Sequence, residues 1–263
     1  MSGAVAGSLV QALLCLLTIA AFRVVIVQLG PRIGAILMGT PMLMFPLLAI
    51  QAWQGPPVTQ AQTIGSVASI VALNGGLWLY RLPVAFGPAS GLLAVALSWL
   101  VLVAFLFLAR VPDWAMASML VLNGLFILIR HRDHRAVAVT SRGRLTDGAV
   151  ITAAFLIFFF LVTRLVPDFL RGVLVGFPVG AFATIYFVRR ILPLEAFHDF
   201  IVYTQGAILS AAMFLLFVHF LLAHLPIALS LAASLAVSLG TTIIVGRIWR
   251  APRVVQPPPG LMP

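Results

Sequence analysis

The sequence has no lysine, and all 16 of its basic residues are arginine. Acidic residues number six, and charged residues make up only 8% of the chain, against about a quarter in an ordinary soluble domain. So little charge cannot clothe a soluble globule of 263 residues. The single cysteine, Cys15, excludes an internal disulfide and a C-x-x-C pair, and its apolar neighbours offer nothing to hold a thiolate. There is no P-loop, no H-E-x-x-H and no G-x-S-x-G. Neither an enzyme activity nor a cofactor or metal is therefore expected. No basic segment precedes the first apolar run, which continues past Arg23, so a cleavable signal peptide is not expected either.

What the sequence has in abundance is apolar length. Hydrophobic residues make up 62% of the chain, in continuous runs rather than alternating strands. Runs of about 20 residues match a helix crossing a bilayer. The expected fold is all-α, a polytopic membrane bundle of about nine spans. These lie near 4–29, 33–51, 60–80, 84–109, 114–130, 148–166, 171–189, 198–222 and 226–248. Gly30-Pro31, Gly55-Pro56-Pro57, Pro83, Pro112, Pro167, Pro193 and Pro226 punctuate them. The long polar segment "RHRDHRAVAVTSRGR" separates the fifth and sixth spans, and its basic "HRDHR" at 131–135 is read as an anchor on anionic lipid. The tail at 251–263 is proline-rich and is read as disordered.

The net charge of +10 would suggest nucleic acid in a soluble chain. Here the arginines stand between apolar runs and set orientation, so the expected partner is the lipid bilayer and no nucleic acid. The short fifth run, "DWAMASMLVLNGLFILI", decides the topology. If it spans and the N-terminus is outside, 13 arginines lie toward the cytoplasm and three (Arg110, Arg164 and Arg171) outside. If it does not span, the split is 11 against five. The positive-inside rule favours nine spans, with the N-terminus outside and the C-terminus in the cytoplasm.

One motif occurs twice. "LMGTPMLMF" at 37–45 matches "LVGFPVGAF" at 174–182, an offset of 137 residues. At that offset Ile64 meets Ile201, Ala96 meets Ala233 and Arg110 meets Arg247. The reading is a duplicated four-helix unit: a first repeat at 1–112, a linker helix and basic loop at 113–147, and a second repeat at 148–250. Four spans return the chain to its starting face, and the fifth carries it across. The second copy then starts from the opposite face, as an inverted-topology repeat. Such repeats are frequent in secondary transporters, whose sites lie at the repeat interface.

With its G-x-P motif and trailing aromatic in the second helix, and a basic residue at the end of the fourth, each half resembles the small GlpM-like membrane proteins. The chain would be a tandem form of their four-helix unit. The resemblance implies the bacterial inner membrane and an association with envelope polysaccharide production, and it brings no catalytic residues.

The expected function is a small secondary transporter or flippase with a site between inverted repeats. The alternative is a non-transporting accessory or scaffold subunit for envelope polysaccharide or lipid assembly. Gly39, Pro41 and Pro46, with Gly176 and Pro178, are candidates for helix kinks or a substrate path. Arg23 and Arg164 either snorkel to the interface or attract a small anionic or lipid-linked substrate. Glu195, His198 and Asp199 share a helix face at i, i+3, i+4. They either open a helix, where acids suit its dipole, or carry protons, and Gln62 is the residue aligned with Asp199. Thr40, Asn74, Asn123, Thr184 and Gln205 either line a path or hydrogen-bond between helices. Gly172, Gly176 and Gly180 form a small-residue packing face. His219 and His224 fall at the outer end of the eighth span, too far from His198 for a shared metal. A homodimer or an envelope-biosynthesis partner is compatible with either function.

Overall fold

The computed structural model describes several positions between 13 and 29, then residues 30–38, 40–41, 44–54, 57–81, 88–130, 166–176 and 179–248. Among the described residues the structure is helical, with no strand. From residue 30 onward the helices are α1 (Pro31–Met38), α2 (Met44–Gln54), α3 (Gln60–Leu77), α4 (Pro88–Leu108), α5 (Asp113–Arg130), α6 (Asp168–Val175), α7 (Val179–Ile191), α8 (Leu194–Leu221) and α9 (Ile227–Ile248). Arg23, Gly39, Arg164 and Pro178, the sixth expected span up to residue 165, the basic loop and the tail lie outside the described residues.

Among the described residues, three helices are long and apolar enough to cross a membrane: Ser90–Leu108 in α4, Leu194–Leu221 in α8 and Ile227–Arg247 in α9. At 28 residues, α8 is roughly 42 Å long, more than the ~30 Å hydrocarbon thickness of a bilayer. Most of α8 is buried, whereas α4 and α9 present most of their apolar surface outward. α3 is different again. It carries Gln62, Thr63, Ser66, Ser69 and Asn74, and all five are buried. A helix that hides this many polar groups must stand at the centre of the molecule, with their partners supplied by neighbours.

Local chemistry sets the helix ends. Gly30 takes a positive φ of 91°, and Pro31 follows in the first position of α1, where a missing N–H costs nothing. Thr59 caps α3, its Oγ1 accepting from Gln62 N at 3.2 Å. Between α4 and α5 the turn is a Schellman closure: Val111 N donates to Leu106 O and Arg110 N to Phe107 O, both at 3.2 Å. Its left-handed position is held by Arg110, at φ 48°, rather than by the usual glycine.

The second expected span is two helices, α1 and α2, and the seventh is also two, α6 and α7. Thr40 closes α1: its N–H and its Oγ1 both donate to Leu37 O, at 3.0 and 2.6 Å. Pro41 O then accepts from Phe45 N at 2.8 Å, and Pro46 falls in the first turn of α2. A first-turn proline is tolerated because that turn's N–H groups have no helical acceptor. α6 stops at Gly176, whose N–H donates to Gly172 O at 2.8 Å.

Shifting α1 by 137 residues places it on α6 residue for residue, and the same shift places α3 within α8 and α4 nearly on α9. The neighbours follow the same pattern. α3 packs along α6 as α8 packs along α1, α3 along α4 as α8 along α9, and α4 touches α7 as α9 touches α2. α3 and α8 pack on each other and run antiparallel. Gln60 and Thr63, at the start of α3, meet His219 near the end of α8. Asn74, toward the end of α3, meets Gln205 in the first half of α8.

Candidate functional site

Among the described residues, α3 and α6 cross with backbone against backbone, and they run parallel. Both begin at one level, where Thr59 Oγ1 donates to Asp168 Oδ2 at 3.1 Å and Arg171 pairs with the other oxygen of Asp168 at 3.0 Å. Above that point, glycines at 65, 172 and 176 let the backbones meet. A Cβ on Gly172 would overlap the Gln62 carbonyl oxygen, and one on Gly65 would overlap the Phe169 carbonyl oxygen. A Cβ on Gly176 would lie 2.7 Å from the Ser66 carbonyl oxygen. Ser66 Oγ donates across the seam to Gly172 O at 2.8 Å. Close approach of this kind needs residues with no side chain on the facing surface.

The seam leads to the break between α6 and α7. Gly176, the last residue before the break, lies against Ser66 and Ser69. Ser69 also accepts from the indole of Trp99 on α4, at 3.1 Å to both its Oγ and its carbonyl oxygen. In the last turn of the half-helix α6, the Gly172 carbonyl takes a serine hydroxyl, that of Ser66. Pro41 and Thr40, at the other break, are buried as well. On α2, beyond this break, Phe45 packs edge-on against Phe214 of α8 with ring centroids 6.2 Å apart.

Polar ties gather at the end of the bundle where α3, α5 and α6 begin. His219 is almost wholly buried there. Its Nδ1 lies 3.1 Å from Thr63 Oγ1 and 3.3 Å from Gln60 O, and its Nε2 lies 3.3 Å from Asp113 Oδ2. One ring thus joins α8 to α3 and α5. Gln62 and Gln51 exchange two amide hydrogen bonds, at 2.8 and 2.7 Å, which tie α2 to α3.

The expected polar candidates do not converge. Gln62 lies near the start of α3 and Asp199 near the start of α8, and antiparallel packing sends those starts to opposite ends of the bundle. Glu195 is exposed in the first turn of α8, while His198 and Asp199 are partly buried one turn further on. Arg189 stacks over Phe197 at 5.4 Å and Arg190 over Tyr186 at 5.8 Å, so the end holding Glu195 is also basic. Among the described residues, no three His, Cys, Asp or Glu side chains gather as a metal site would require.

Ser66, Ser69, Gln51 and the His219 ties were not singled out in the sequence. Gln62, Ser66 and Ser69 recur at i, i+4, i+7, and that polar stripe on an apolar span was the available signal. No such signal existed for His219 and Thr63, which are 156 residues apart. Compared with protein-family models, curated proteins and solved structures, the chain finds no match.

Proposed function

We propose that the chain is an integral membrane protein of about nine spans, built from two inverted four-helix repeats, and that it is a small secondary transporter or flippase. One observation carries this reading. Two helices related by the 137-residue offset are both broken, and each packs along the central helix of the other half. In transporters of this kind, half-helix ends that expose backbone groups near the midplane build the site.

The antiparallel run of α3 and α8 supports the inverted arrangement, since the corresponding helices of a parallel duplication would run the same way. Hydrogen-bonded pairs along the two helices bring the counterparts Ala72 and Leu209 to one level, as an axis perpendicular to both requires. Trp53 and Trp114, 83% and 71% exposed, stand at the end where α3 and α5 begin. That placement suits an aromatic belt at one membrane face. The bacterial inner membrane, the outside N-terminus, and a small anionic or lipid-linked substrate belong to this proposal and follow from the arginine distribution and the GlpM-like resemblance.

A second reading has its own support. Backbone meets backbone along the α3–α6 seam, and such tight closure suits an accessory or scaffold subunit that conducts nothing. Cysteine accessibility separates the two. In a Cys15→Ser background, Ser69→Cys at the α6 break is expected to react with a membrane-impermeant thiol reagent from both faces of the membrane. A Ser69→Cys thiol that no reagent reaches from either face would leave the scaffold reading standing.

A further inference from the structure

Two acceptors inside the α3–α8 interface lack donors. Asn74 is 2% exposed, and Gln205 is fully buried. Gln205 Nε2 donates to the Asn74 main-chain oxygen at 3.3 Å, which fixes the orientation of the amide. Its Oε1 has no partner, and neither has Asn74 Oδ1. Each buried carbonyl left this way carries its full desolvation penalty. The two residues come from opposite halves of the chain. Asn74 sits two residues from Ala72, the level at which the halves cross, about 3 Å along the axis.

The chemistry of two unmet carbonyl oxygens narrows what they can take. They repel anions. Divalent cations prefer carboxylate oxygens, and Asp199, the acid of α8 nearest in sequence to Gln205, lies six residues away, about 9 Å along the helix. Amides do not carry protons at ordinary pH. An alkali cation, by contrast, exchanges its hydration shell for neutral carbonyl oxygens, and such sites occur where two repeats meet.

We propose that Asn74 and Gln205 hold a monovalent alkali cation between the two halves, with water or solute hydroxyls completing its shell. Its role as a coupling ion rests on the transport reading; its binding does not.

The test is the melting temperature of the full chain in detergent, in sodium, potassium or choline chloride at equal ionic strength. One alkali ion is expected to raise it saturably over choline, by about 5 °C at a hundredfold excess over Kd. Asn74→Leu and Gln205→Leu are each expected to abolish the rise. No difference from choline in the wild type overturns the site, and so does a rise that persists in both variants. Should the leucine variants not fold, Asn74→Asp decides. Its added charge must enlarge the alkali response, and an unchanged response overturns the proposal. An alkali response in a chain whose Ser69→Cys stays unreachable keeps the site and removes transport. An accessible Ser69→Cys with no alkali response does the reverse.

Discussion

Gly172 shows how a single atom decides packing here. A methyl group at that position would occupy the space of the Gln62 carbonyl oxygen, and helix backbone cannot swing aside as a side chain can. Gly172→Ala is expected to destabilise by about 1–3 kcal/mol. Gly240 has open space where its Cβ would stand, so Gly240→Ala is expected to be neutral or to stabilise by up to about 1 kcal/mol. Thermal melts in detergent compare the two directly. His219 offers a second contrast. His219→Ala removes a buried ring that ties α8 to two other helices and is expected to cost about 1–2 kcal/mol. Asp113→Asn touches the same tie from a carboxylate that is 53% exposed, and is expected to cost under about 1 kcal/mol. A larger loss from Asp113→Asn than from His219→Ala would put the weight of the tie at the wrong end. At this scale the sequence was partly legible. Asn74 and Gln205 stood out as polar residues in apolar runs, but their apposition depends on helix rotation and register, which composition does not encode.

At the scale of elements, the Gly-Pro pairs were readable as interruptions, because proline removes a donor that lipid cannot replace. Their form was less readable. The sequence allowed either one kinked span or a broken helix, and the structure restarts the helix after Pro41 and places Pro46 in the new first turn. Pro46→Ala is therefore expected to change stability by less than about 1 kcal/mol. Leu73→Pro in the unbroken α3 is expected to cost about 3 kcal/mol or more. Equal effects of the two in a melting experiment would mean that α2 does not begin where the structure starts it. Pro112, Pro167, Pro193 and Pro226 did mark helix starts, since each stands immediately before α5, α6, α8 or α9. The central position of α3 was not evident from its run. Its polar side chains are what its neighbours grip.

For the whole molecule, burial sorts the helices by role. α3 and α8 form the interior, while α4 and α9 carry exposed Leu97, Leu100, Val101, Leu108, Leu229 and Ile244, a surface suited to lipid. The arginine pattern and the repeated motif were enough to propose two opposed halves, yet neither could say which helices meet. That follows from the antiparallel register of α3 and α8, set by contacts more than a hundred residues apart. The central claim is that equivalent points of the two halves lie on opposite faces of the membrane. Pro57 precedes α3, Leu194 opens α8, the two are 137 residues apart, and both are exposed. With Cys15 replaced by serine, Pro57→Cys is expected to react with an impermeant maleimide on intact cells, and Leu194→Cys only after the membrane is opened. Labelling of both from the same side would contradict the inverted arrangement.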